Sequence, residues 1–173
     1  PTAKCAFFRY PPKCEVYCKY ATISAMKTPM LQIALYQPDI AGNVGAILRT
    51  AARFGASCSI IEPCGFAFSN KALKRAGMDY AENVAIHRHV DWAAFDAERR
   101  AKNRRIVLMT VTGAIPLTEA SFHPDDILLM GSEGAGVPEH VHEAADVRVF
   151  IPMVAGMRSL NISVSAGIAL AEA

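Results

Sequence analysis

Six short apolar runs, set between stretches with helical patterning, constrain this fold more than any other feature of the sequence. Residues 31–36, 57–61, 84–87, 105–110, 126–130 and 147–151 each have the length and composition of a strand. After the first run, Val44, Ile47, Leu48 and Ala51 recur at helical spacing, with Asn43 placed to cap that helix and Gly55 to stop it. Residues 70–76 read as a short basic helix, 91–102 as a charged amphipathic one, and 161–173 as a closing helix of small residues. Apolar strands interleaved with helices predict an α/β fold: a parallel sheet covered on both faces.

The chain has 173 residues, enough for one ordinary domain. Hydrophobic residues at 52% and charged residues at 20% exclude a disordered chain. No uncharged apolar stretch reaches the roughly 18–20 residues needed to span a bilayer, so no membrane partner is expected. A net charge of +2 does not by itself mark a nucleic-acid binder. The charge is uneven, however. Residues 1–29 carry five Lys/Arg against one acid, Glu15, and hold three of the five cysteines. We expect this leader to be an appended segment outside the fold, the domain to run over 30–173, and the closing helix to be cut short at Ala173. Cys14 and Cys18 have ligand-like spacing but no second pair nearby, so no metal site is expected. Cys58 reads as a small core residue and Cys64 as part of a turn. An odd cysteine count without a regular framework points to free thiols in a reducing cytoplasm.

Ligands of parallel sheets bind at loops beyond the carboxyl ends of the strands, and three such loops carry unusual chemistry. The first, residues 38–49, holds Asn43 and leads to Arg49, which shares a helix face with Arg53; the arginines are either a solvated pair or phosphate ligands. The second is Gly131-Ser-Glu-Gly-Ala-Gly-Val-Pro138. It matches neither G-x-G-x-x-G nor the P-loop, and Glu133 would repel a pyrophosphate. Glu133 suits an amine, a hydroxyl or proton transfer, unless the glycines mark only a tight turn. The third, residues 151–161, offers Arg158, Ser159 and Asn161 just before a helix start, as ligands or as caps.

In this order, Asn43-Val-Gly-Ala-Ile-Leu-Arg49, Leu129-Met-Gly-Ser-Glu-Gly-Ala-Gly-Val-Pro138 and Ile151-Pro-Met through Arg158-Ser-Leu-Asn-Ile-Ser163 resemble the three motifs of the SPOUT class of RNA methyltransferases. The resemblance covers about residues 30–173. Residues 60–66 and 71–80 resemble in particular its compact branch, which methylates the ribose of the tRNA wobble nucleotide, cytidine or uridine 34. The resemblance implies a parallel-sheet SPOUT fold with a C-terminal trefoil knot, which pattern alone would never suggest. It implies S-adenosylmethionine as cofactor, with contacts from Met109, Gly131, Ile151 and Ser159. It places Arg49 near the reacting hydroxyl, with Asn43, Glu133 and Asn161 shaping the catalytic site. Arg53, Lys71, Lys74, Arg75 and Tyr80 would meet the anticodon arm by phosphate contact and stacking. A homodimer with a shared site is implied as well. The closing helix offers an apolar stripe (Leu160, Val164, Ile168, Ala171) beside small residues (Ser165, Ala166, Gly167, Ala169) that admit another helix.

Three alternatives stay open at this point. A dehydrogenase-like nucleotide domain lacks its glycine fingerprint here. A non-catalytic RNA-binding module would have no need of Asn43, Arg49, Glu133 and Ser159 together. A related SPOUT enzyme would methylate a ribose elsewhere in tRNA or in rRNA.

Overall fold

The computed structural model describes residues 31–67, 84–112, 115–156 and 158–173. They build a seven-stranded, all-parallel sheet in the order β3-β2-β1-β6-β4-β7-β5. The strands are β1 (Gln32–Tyr36), β2 (Ser57–Ile61), β3 (Ile86–His89), β4 (Ile106–Met109), β5 (Ile115–Pro116), β6 (Ile127–Met130) and β7 (Val147–Phe150). The helices are α1 (Ala41–Phe54), α2 (Trp92–Ala101), α3 (Glu139–Ala144) and α4 (Ile162–Glu172), with a 3₁₀ turn at Leu117–Glu119. The expected parallel α/β class is the observed one.

Burial explains the near-continuous apolar strands. Every residue of β1 and β6 is buried, because both lie inside the sheet with layers on either side. Alternate residues feed two cores. Ile33 and Leu35 face Val44, Ile47, Leu48 and Ala51 of α1 and Ala166, Ala169 and Leu170 of α4. Ala34 and Tyr36 face Phe95 of α2 and Val141 of α3. At the amino end of β6, Asp126 is fully buried. Its carboxylate accepts from Arg105 Nε at 2.9 Å and Nη2 at 2.7 Å, which offsets the cost of removing a charge from water.

Several sequence expectations are corrected. Asn43 does not cap α1: the helix begins at Ala41 with Ile40 as its cap residue, and the Asn43 side chain is used elsewhere. The strand expected at 84–87 lies at Ile86–His89 instead. As an edge strand it tolerates His87 and Arg88, both exposed. β5, the 3₁₀ turn and α3 were not anticipated. They span two, three and six residues, too few to show a period. The small residues of the closing helix pack within the chain itself: Ala166 and Ala169 are buried, and a Cβ added at Gly167 would meet Thr50 Cγ2 of α1 at 3.9 Å. Leu160, Val164, Ile168 and Ala171 remain exposed, as a stripe facing outward. The expected basic helix at 70–76, with Lys71, Lys74 and Arg75, lies outside the described residues, as do Tyr80, the leader and its cysteines. Cys58 is buried and Cys64 half-buried, both as free thiols. Burial pushes the first up to about 12 and the second to about 11, so neither is a reactive thiolate.

Candidate active site

The insertion of β6 between β1 and β4 brings the loop after β1 beside the loop after β6. The placement of β7 beside β4 adds the segment that leads into α4. All three leave the carboxyl ends of parallel strands on one edge of the sheet. Between them lies a cleft of about 870 Å³, within the range of small-molecule sites. Met109, Gly131, Ile151 and Ser159 all line it, as do Asn43, Glu133 and Asn161. Arg49 does not: it lies on the exposed side of α1, outside the lining. Arg53 is likewise exposed on α1.

One hydrogen-bonded chain joins the three loops. Glu133 Oε1 accepts from Asn43 Nδ2 at 2.9 Å, and Glu133 Oε2 accepts the Asp39 N–H at 2.7 Å. Asn43 Oδ1 in turn accepts from Asn161 Nδ2 at 3.0 Å. Asn161 then uses its own Oδ1 to cap α4, accepting the Ser163 N–H at 2.8 Å and the Ser163 hydroxyl at 2.6 Å. Capping and site-building are therefore the same act at Asn161, whereas Asn43 only builds the site. Both carboxylate oxygens of Glu133 are engaged within the protein. These two bonds tie the loop after β6 to the loop after β1 and to α1.

The glycine-rich loop is closed on itself. Ser132 N–H donates to the Gly136 carbonyl at 2.9 Å, and Gly136 N–H returns the bond at 3.0 Å. The Ser132 hydroxyl accepts the Ala135 N–H at 3.2 Å. Gly136 adopts a φ of 68°, in the left-handed region that favours glycine. A Cβ on Gly131 would lie 2.7 Å from the Gly136 carbonyl carbon. Gly131 is thus required by the loop's own backbone, before any ligand enters. Sequence reasoning missed this pairing, and missed Asp39 and His142. Asp39 accepts the Gly134 N–H at 3.0 Å, and the half-buried His142 lines the cleft from α3. A carboxylate four residues before Asn43 was the only available signal for the first.

The lining includes Glu133 but no Lys or Arg among the described residues. A pyrophosphate would find no counter-charge there. A ligand with positive charge, apolar surface and groups able to pair with backbone amides would be matched by Met109, Met130, Ile151 and the Gly131–Val137 backbone.

Residues 30–171 match the SpoU rRNA Methylase family. The chain is 52% identical over 141 residues to a tRNA (cytidine(34)-2'-O)-methyltransferase of Beijerinckia indica, covering 82% of this chain and 88% of that protein. It is 40% identical to the Escherichia coli K12 enzyme of the same name, with 83% and 92% covered. A solved structure described as giving insight into 2-OH methylation of C/U34 on tRNA superposes with a TM-score of 0.77 at 40% identity, covering 83% of this chain and 93% of that one. An AdoMet-bound rRNA methyltransferase from Sinorhizobium meliloti gives 0.75 at 28%, with 83% of this chain and 55% of that one covered. With the matched span embracing all three cleft loops, this chain belongs to the SpoU methylase family.

Proposed function

We propose that this protein transfers a methyl group from S-adenosylmethionine to the ribose 2′-hydroxyl of the tRNA wobble nucleotide, cytidine or uridine 34. The observation that carries this reading is the convergence of Asn43, Glu133 and Asn161 at a cleft whose described lining holds no Lys or Arg. It occurs in a chain 52% identical to an enzyme of that name. The cleft suits the cofactor, whose sulfonium is cationic and whose remaining surface is part apolar, part hydrogen-bonding. Met109, Gly131, Ile151 and Ser159 would hold it. When bound, S-adenosylmethionine supplies a methyl group already activated by the positive sulfur.

What the chain must add is alignment and help for a weakly acidic hydroxyl. Asn43 and Asn161, tied to each other and to Glu133, give the cleft mouth a fixed shape. A guanidinium keeps its proton to about pH 12 and above. Arg49 is therefore better suited to hold the flanking phosphate and to stabilise developing negative charge on the 2′-oxygen than to accept its proton. Because Arg49 is exposed and outside its own cleft, it acts in the cleft of a second copy, and the working unit is a homodimer. The anticodon arm is the part of the tRNA it meets, with Arg53 and the Lys71, Lys74, Arg75 and Tyr80 segment as contacts. The trefoil-knotted path implied by the family resemblance belongs to the same reading. The free thiols of Cys58 and Cys64 accord with work in the cytoplasm.

Calorimetry should show S-adenosylmethionine bound and NAD ignored. Total tRNA incubated with tritiated cofactor should release labelled 2′-O-methyl nucleotide mapped to position 34. Label at another position would replace the wobble assignment, and no cofactor binding would remove the proposal.

A further inference from the structure

We infer that Asp39, which does not line the cleft, is a positioning residue for methyl transfer; the inference rests on the function proposed above. Asp39 lies between β1 and α1 and makes a reciprocal pair of bonds with the glycine-rich loop. Its N–H donates to Glu133 Oε2 at 2.7 Å, and its Oδ2 accepts the Gly134 N–H at 3.0 Å. Each loop thus gives one backbone donor and one carboxylate acceptor, and charge-assisted bonds of this kind are shorter and stronger than neutral ones. The loop after β2 closes on the other side. Gly65 N–H donates to the Pro38 carbonyl at 3.0 Å, and a Cβ at Gly65 would lie only 2.9 Å from Asp39 Cα. Asp39 is therefore held between two loops, and a side chain at Gly65 would push its backbone.

The internal shape of the Gly131–Val137 loop does not depend on Asp39, because the mutual Ser132–Gly136 bonds close it. What Asp39 sets is where that loop sits relative to α1. That placement fixes the cleft against the Asn43–Asn161 pair at its mouth. Loss of the contact leaves a formed cofactor cleft that is displaced from the groups beside it, and displacements of about 1 Å can cost on the order of 100-fold in rate. The expected signature is a fall in kcat without a matching fall in cofactor affinity.

The test compares full-length wild type, Asp39→Ala and Asp39→Asn. Asp39→Ala should lower kcat on tRNA about 10-fold, with the S-adenosylmethionine Kd changed less than about 3-fold. Asp39→Asn keeps an acceptor oxygen for Gly134 and should restore kcat to within about 2-fold. Gly65→Ala disturbs the same joint from the β2 side and should show the same split, so the test survives if Asp39→Ala does not fold. Unchanged kcat in Asp39→Ala, or in Gly65→Ala if Asp39→Ala does not fold, would overturn the inference. So would a defect that Asp39→Asn shares, or a loss of cofactor affinity equal to the loss of kcat. A wild-type protein that neither binds the cofactor nor methylates tRNA would instead remove the proposed function, and this inference with it.

Discussion

At Gly131 the space a side chain would need is taken by the chain's own backbone. A methyl group there would sit 2.7–3.0 Å from three Gly136 atoms, and backbone cannot yield as the end of a flexible side chain can. Even Gly131→Ala must therefore open the loop that walls the cleft. We expect Gly131→Ala to weaken S-adenosylmethionine binding by at least about 10-fold, while its melting temperature stays within a few degrees of wild type. Wild-type affinity by calorimetry would show that the loop tolerates displacement. The sequence pointed to Gly131 for a different reason, close approach of a ligand, because a contact between Gly131 and Gly136 depends on how the intervening residues turn. Asn43, Glu133 and Asn161 were legible together, since each follows a strand and parallel strands deliver their following loops to one edge. Their division of labour was not. Nothing in the sequence says that both Glu133 oxygens are taken by Asn43 and Asp39, or that Asn161 rather than Asn43 is the helix cap.

Secondary elements were legible in proportion to their length and burial. The central strands and α1 carry clear patterns, whereas α3 and β5 are too short for one, and β3 is an edge strand with polar positions. From that edge a largely buried polar chain runs inward across β2 and β1. Arg104 Nη1 donates to Gln32 Oε1 at 2.6 Å, Gln32 Nε2 donates to Ser59 Oγ at 2.9 Å, and Ser59 Oγ lies 3.0 Å from His89 Nε2. His89 Nδ1 faces Glu98 of α2 at 3.6 Å, and the ring meets Phe95 edge-on at 5.2 Å. Burial is the largest influence on His89 and lowers its pKa; Glu98 opposes this, while His87 and Lys102 add to it. The folded state thus holds His89 neutral at a pH where the unfolded chain, titrating near about 6.5, already binds a proton. This contribution to stability is complete above about pH 6.5 and is lost as pH falls through the folded value. The melting temperature should drop between about pH 7 and pH 5, and His89→Gln should flatten that dependence. A variant that keeps the wild-type slope would assign the effect to other groups.

At the scale of the whole molecule, the proposed homodimer turns on α4. Its inner face is satisfied within the chain by Ala166, Ala169 and Leu170. Its outer stripe is not: Leu160 is 39% exposed, Val164 49% and Ile168 39%. The stripe runs into the cleft, since Leu160 also lines it. Beside it lies α1, where Thr50 would meet a Cβ added at Gly167 and the adjacent Arg49 is exposed. A second copy related by a two-fold axis and seated on this stripe would cover the apolar surface of both chains. It would also carry its Arg49 toward the cleft that lacks one. Sedimentation at micromolar concentration should therefore give a dimer, and Val164→Glu with Ile168→Glu should give a monomer that no longer methylates tRNA. The shared site has a sharper test. Arg49→Ala should be inactive with its cofactor affinity kept, and Gly131→Val inactive through loss of cofactor binding. Mixed and allowed to exchange, the two inactive proteins form heterodimers in which one site has both an intact cleft and an intact Arg49. With random pairing, half of the dimers are mixed and each has one working site of two, so activity should return to about a quarter of wild type. A mixture that forms heterodimers yet stays inactive would place Arg49 and the cleft it serves in the same chain.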